Sequence, residues 1–412
     1  MSATEIIAPQ QEPSAEPPPL LYMCDFPPSN LGGGPILLSR LLTEYPVDAI
    51  TVLTSTRFAK VSPPEGRLRC EEIVVPLSDG HGRFGLGRLR VALNWLRIPL
   101  IALRAKRLIE RRKISAILTV LHGQFCFAAA IAARLSRIRY VLIVHDDYAS
   151  GMNMIGRRLA RAVLRGAAHI YCVSPNMRQS LLSDFGADSQ VQWPATQRPP
   201  SESARVARDE FAIVFAGSIT AAVEDSLRVL GELLTCGKLV ACGVRNPKLH
   251  LYSIVKEEQK RDWGWDHPAI EVHPWINQSE LARILRTADI LFLPFSFAPS
   301  QRHTVETAFP SKTADYLASG TPILVFGPSY SSLVAYARQE RFAAIVCEQD
   351  PELLADAIRR IAADAEYRQA LSSQALQTFS RHHDIDRQRE EFLRVLHSIV
   401  SASSRPLVSR GI

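Results

Sequence analysis

No stretch of the 412 residues offers ~18 uninterrupted apolar side chains, so the sequence predicts no membrane-crossing helix. The N-terminus lacks the basic-then-apolar order of a secretory leader. Cysteine is sparse, with seven residues at 24, 70, 126, 172, 236, 242 and 347, mostly inside apolar runs. That pattern excludes a disulfide framework and fits buried thiols in a reducing compartment, so the expected location is cytoplasmic. Cys236 and Cys242 have no second nearby pair to complete a zinc site. No P-loop, Ser–His–Asp signature or cysteine–histidine metal cluster is visible. Asp384-Ile385-Asp386 has the D-x-D spacing of metal sites, but it lies beside a helix start, where carboxylates act as caps. No resident metal or cofactor is therefore expected.

The composition is that of a soluble globular chain, 47% hydrophobic and 22% charged. Its length calls for two domains of about 180 residues each. The net charge of +7 suits anionic lipid or phosphate-bearing substrates, and no nucleic-acid partner is expected. The segment from His81 to Lys113 is basic and mainly helical, with Leu89, Leu93, Trp95, Leu96, Leu100 and Leu103 between its arginines. Such a stretch suits an anionic membrane surface, or equally a crossover helix packed on a sheet. Pro99 is expected to kink or divide it.

Short β-branched runs alternate with helical stretches twice over, which indicates parallel sheets covered on both faces. The expected layout is a proline-rich disordered tail over 1–19, a first α/β domain over 20–194 and a linker over 195–210. A second α/β domain over 211–379 follows, then a crossing helix over 380–400 and a tail over 401–412. Leu239–Cys242 reads as one of the second domain's strands, and Phe295–Pro310 as a long loop.

Two stretches suggest an anion site. The loop Pro27 to Gly34, with its three glycines, joins a strand to a helix that Pro35 is expected to open. The segment Phe309 to Val325, FPSKTADYLASGTPILV, reads as loop, helix, turn and buried strand. Ser311 is placed as its N-cap, Lys312 at the first helical position, and Gly320 as the closing glycine. A lysine in a first turn opposes the helix dipole, and a bound phosphate would remove the conflict. Asp315, one turn deeper, could take two ribose hydroxyls. The plain alternative is a solvated lysine offset by a surface aspartate.

P-S-K-x-x-D-Y-L-A-S-G-T-P resembles the donor motif of GT-B glycosyltransferases, especially the large retaining family of bacterial polysaccharide and glycolipid synthesis. The resemblance covers roughly 20–400 and implies two Rossmann-like doubly wound domains facing across a cleft. It gives Lys312 the donor diphosphate and Asp315 the ribose, with Ser311 beside them, and places Gly33, Gly34, Gly217 and Ser218 against the donor. His145, ending the strand Val141–Val144, matches the family's strand-end histidine facing the sugar. His122 and Asp146 are secondary candidates for sugar or acceptor contact. The motif's first glutamate falls on Thr307, with Glu306 one residue off as a substitute. The basic residue usual after the second domain's first strand is missing, and Arg302 or Arg245 could supply it. The implied partners are a nucleotide-sugar donor and a glycan or lipid-linked acceptor. The alternatives are a nucleotide-sugar 2-epimerase on this fold and an inactive homologue serving as a partner subunit.

Overall fold

The structure, a computed structural model, describes residues 16–30, 32–56, 66–77, 93–146, 152–199, 209–274 and 276–403. Most of the expected N-terminal tail, most of the linker, the first part of the basic segment and most of the C-terminal tail lie outside these residues.

Two parallel sheets carry the molecule. The first holds β1 (Leu20–Met23), β2 (Ile50–Ser55), β3 (Glu71–Val75), β4 (Ala116–Val120), β5 (Arg139–Val144), β6 (His169–Cys172) and β7 (Gln190–Val191). Its order is β3-β2-β1-β4-β5-β6-β7. The second holds β8 (Phe211–Ala216), β9 (Pro247–Tyr252), β10 (Ile270–His273), β11 (Ile290–Pro294), β12 (Ile323–Phe326) and β13 (Ala343–Val346), in the order β10-β9-β8-β11-β12-β13. Both are doubly wound, with strand order reversing beside the first strand of each sheet, where such folds open a crevice for ligand. The expected pair of Rossmann-like domains is therefore present.

Alternation along β1 sends its side chains to two cores. Leu21 and Met23 pack with Ile117, Phe125 and Ala129, while Leu20 and Tyr22 pack with Leu38, Leu118 and Val141. β4 and β12 are buried at every residue, which explains their nearly apolar sequences AILTV and ILVF; the one polar side chain, Thr119, donates to the Met23 carbonyl.

The last helix, Ile385–Ser403, returns to the first domain, where Phe392, Leu396 and Ile399 complete the core beneath Tyr22. Two chain passes meet at this crossing. Thr196 N–H donates to the His383 carbonyl at 3.0 Å, and Ile385 N–H donates to the Thr196 carbonyl at 3.2 Å. Beside them Trp193 packs on Phe309 and Tyr336. Asp384 accepts from the Asp386 N–H at 3.0 Å, so the D-x-D acts as a local turn at the helix start.

Three expectations about elements change. Leu239–Cys242 is not a strand: Lys238–Ala241 forms a single helical turn between Gly237 (φ 72°) and Gly243 (φ 87°), and four apolar residues cannot distinguish the two states. The helix after the glycine loop begins at Gly33, two residues before Pro35. The long loop to Pro310 contains a short helix, Arg302–Thr307.

Candidate functional site

A cleft of about 430 Å³ opens between the carboxyl ends of the two sheets. Two helix N-termini face each other across it. The helix Gly33–Leu42 follows Gly32, and the helix Lys312–Ser319 follows Ser311; neither has a side-chain cap. Ser311 is helical in backbone and does not cap, contrary to the sequence expectation. A Cβ on Gly33 would stand 3.5 Å from Ser311 Oγ, so the approach of the two turns is close. Uncapped N–H groups and the positive ends of two helix dipoles thus converge on one space, an arrangement that favours an anion.

Lys312 reaches into the same space. Its ammonium lies 3.8 Å from the centroid of the Phe215 ring, at the end of β8. Desolvation lowers its pKa to about 7, and no carboxylate contributes to offset the shift. Gly217 turns the chain just past β8 with φ 139°, and a Cβ there would come within 2.9 Å of the lysine Nζ. Only glycine leaves the ammonium its place. Tyr316, one turn further on, accepts from the Ala216 N–H at 2.9 Å and fixes the helix against β8.

Asp315 also lines the cleft, but it is already paired. Arg40, from the last turn of the helix Gly33–Leu42, donates one nitrogen to both its oxygens at 2.8 and 3.0 Å. The same guanidinium reaches Gln278 at 2.9 Å and the Ala195 carbonyl at 3.3 Å. Arg40 therefore ties the two domains together through the carboxylate assigned to ribose. Sequence reasoning missed it, because a basic residue in a last helical turn looks like ordinary dipole compensation.

His145 and Asp146 line the cleft from the first domain, with Gly33, Gly34 and Ser218 around them. Burial lowers the pKa of His145 to about 4, so its ring is neutral at pH 7. Among the described residues its Nδ1 has no hydrogen-bond partner, and a Cβ on Gly34 would sit 3.1 Å from it. A ring of such low basicity serves better as a hydrogen-bonding group than as a proton acceptor.

The remaining candidates stand outside the cleft lining. His122 has its Nδ1 3.6 Å from the fully buried Asp25. Glu306 and Arg302 belong to the helix Arg302–Thr307. The Glu306 carbonyl accepts from Asn176 at 2.9 Å and the Thr307 carbonyl from Ser174 at 2.6 Å, so that helix is held against the first domain. Arg302 covers the Tyr330 ring at 4.5 Å, and Arg245 is exposed near Asp209. Neither lines the cleft; among the described residues Lys312 does, and Arg40 reaches it through Asp315.

Residues 42–193 match the family model Glycosyltransferase Family 4, and residues 226–394 match one described as glycosyl transferase-like. No curated protein matches the sequence. Among solved structures, Anabaena HepE in complex with UDP and glucose superposes with a TM-score of 0.66 at 14% identity, covering 92% of this chain and 99% of that one. Sucrose-phosphate synthase from Thermosynechococcus elongatus gives 0.66 at 14% identity, with 93% and 100% covered. The lipopolysaccharide outer core galactosyltransferase WaaB gives 0.58 at 11% identity, with 92% and 99% covered. At these identities the likeness establishes the two-domain fold along nearly the whole of each chain.

Proposed function

Since the chain belongs to glycosyltransferase family 4, a family of retaining enzymes that use nucleotide-sugar donors, we propose that it moves a hexose from a UDP-sugar to a glycan or lipid-linked acceptor. One observation carries the reading: two uncapped helix N-termini and Lys312 converge where a diphosphate would lie, with Asp315 one turn deeper. The UDP and glucose bound by HepE, a protein of the same fold, support the choice of donor.

In this reading Lys312, the helix N–H groups and the glycine loop balance the charge that develops on the departing diphosphate. The ribose hydroxyls displace Arg40 from Asp315. His145 donates to or accepts from a sugar hydroxyl as a neutral ring. Ser218 and Asp146 border the sugar. The acceptor enters from the first domain.

A thermal-shift screen against UDP-, GDP-, dTDP- and ADP-sugars tests the donor, since a ligand bound by the native state alone raises its stability. The expected result is stabilisation by UDP-sugars and by UDP, lost in Lys312→Ala. Stabilisation by none of the nucleotides would instead favour an inactive partner subunit, a reading that the position of Glu306 outside the cleft lining also supports.

A further inference from the structure

A second cluster of chemically competent side chains lies on the outer strands of the second sheet. β10 is the edge strand, and its parallel register on β9 sets His250 beside Glu271 and Tyr252 beside His273. Three ligand-type atoms meet there. His250 Nδ1 is 3.0 Å from His273 Nε2 and 3.5 Å from Glu271 Oε2, and the last two are 3.9 Å apart. Ligands bound at ~2.1 Å in a tetrahedral shell lie about 3.4 Å from one another, so the three spacings bracket the edges of one coordination face. We propose that His250, Glu271 and His273 form a binding site for a divalent transition metal of the zinc class.

The surrounding groups are arranged as metal ligands require. His250 Nε2 faces Glu210 Oε1 at 3.1 Å. A carboxylate only accepts, so this nitrogen carries the proton and Nδ1 presents its lone pair to the centre. Lys248 donates to the other oxygen of Glu271 at 2.6 Å, which orients that carboxylate. Tyr252 stacks on the His273 ring at 4.5 Å between centroids and 14° between planes. Two imidazoles and one carboxylate suit zinc, cobalt or nickel better than magnesium or calcium. His250 is buried, while Glu271 and His273 are half-buried, so a fourth position opens to water. Tyr252 also lines the cleft, so a metal here would stiffen one of its walls. The site takes no part in the transfer proposed above. Without a metal, His273 Nε2 and His250 Nδ1 lie within hydrogen-bond distance of each other, and a metal would replace that contact by taking the lone pair of each nitrogen.

The test is a titration of the full-length protein, stripped with chelator, with Co²⁺ and then Zn²⁺. The expected result is one equivalent of Co²⁺ giving the absorption of a four-coordinate nitrogen and oxygen site, bleached by one equivalent of Zn²⁺. His273→Ala, at the half-exposed edge, should abolish the signal with the far-ultraviolet dichroism unchanged. Glu210→Gln, which leaves the ligands in place, should weaken Zn²⁺ binding about tenfold to a hundredfold. The wild-type titration decides on its own if the variant does not fold. Absence of stoichiometric binding, its survival in His273→Ala, or thiolate charge-transfer bands marking a cysteine site would overturn the proposal.

Discussion

At the scale of single residues, Lys312 bears the clearest cost. Its lowered pKa means that the unfolded chain binds a proton between pH 7 and its ordinary range near 10.5 while the folded protein does not. Stability from this group therefore rises with pH across that window and is lowest below pH 7. Lys312→Met, which keeps the stem and removes the charge, should raise the melting temperature of the ligand-free protein at pH 6.5 and abolish UDP binding. An unchanged melting temperature would show that the ammonium is not desolvated. Nucleotide binding should also take up close to one proton at pH 8. Calorimetry in buffers of different ionisation enthalpy reads this directly, and no buffer dependence would refute it.

Arg40 leads to a separate residue-scale expectation. If ribose must displace it, Arg40→Ala should tighten UDP binding by about threefold to fivefold, matching the ~1 kcal/mol at most that a partly exposed pair contributes. Asp315→Asn should loosen it. Weaker binding in Arg40→Ala would make Arg40 a donor ligand and not a competitor. The contact joins residues 275 positions apart, so no local pattern could reveal it. Lys312, Gly320 and Asp315 were legible because cap, dipole and turn rules act within a few residues.

At the scale of elements, the described part of the basic segment is helical at 93–95, turns at 96–97 and continues as the helix Ile98–Arg112 with Pro99 in its first turn, so the segment is divided just before the proline, as expected. Ile101, Ala102, Ala105 and Ile109 pack inward, as the crossover reading requires. Yet Leu96, Leu100 and Leu103 remain exposed on the other side. The helix Met154–Gly166 adds exposed Met154, Ile155 and Leu159, with Arg157, Arg158, Arg161 and Arg165 among them. Both helices pack on the helix Phe125–Ser136. Such neighbouring basic and apolar faces suit an anionic bilayer, where each nearby cation adds about 1 kcal/mol. Co-sedimentation with anionic vesicles is expected at low salt, reduced by high salt and by Leu96→Asp with Leu100→Asp. Retention in solution at low salt would point to a soluble acceptor. Among the described residues no helix is long and apolar enough to cross the bilayer.

For the whole molecule, the joint between domains depends on His383. Its Nδ1 lies 2.6 Å from the Pro194 carbonyl, an acceptor, so Nδ1 carries the proton and Nε2 accepts from Tyr336 Oη at 2.9 Å. Burial, with neighbouring His382 adding to it, lowers its pKa to about 3. The unfolded chain therefore binds more protons from pH 6.5 down to 3, and stability falls across that range. His383→Gln should be less stable than wild type by about 1–3 kcal/mol at pH 7.5, the cost of disrupted buried hydrogen bonds. The gap should narrow at pH 4.5 in urea titrations; a constant gap would mean that His383 does not titrate on unfolding. The doubly wound sheets were readable from alternating apolar runs, but this joint was not. Its members, Trp193, Phe309, Tyr336 and His383, come from four distant stretches, and each looks like ordinary core in isolation.

The returning helix also sets an order of events during synthesis. Phe392, Leu396 and Ile399 are made last, yet they seal a core whose other members begin at Leu20. While the chain is still on the ribosome, the first domain has emerged with one face of its sheet covered only in part, by the helix Gly33–Leu42. The second domain can meanwhile close on its own strands. The domain that is translated first therefore completes its core only after the second has been made, and part of its apolar face stays open to chaperones until the helix Ile385–Ser403 has emerged.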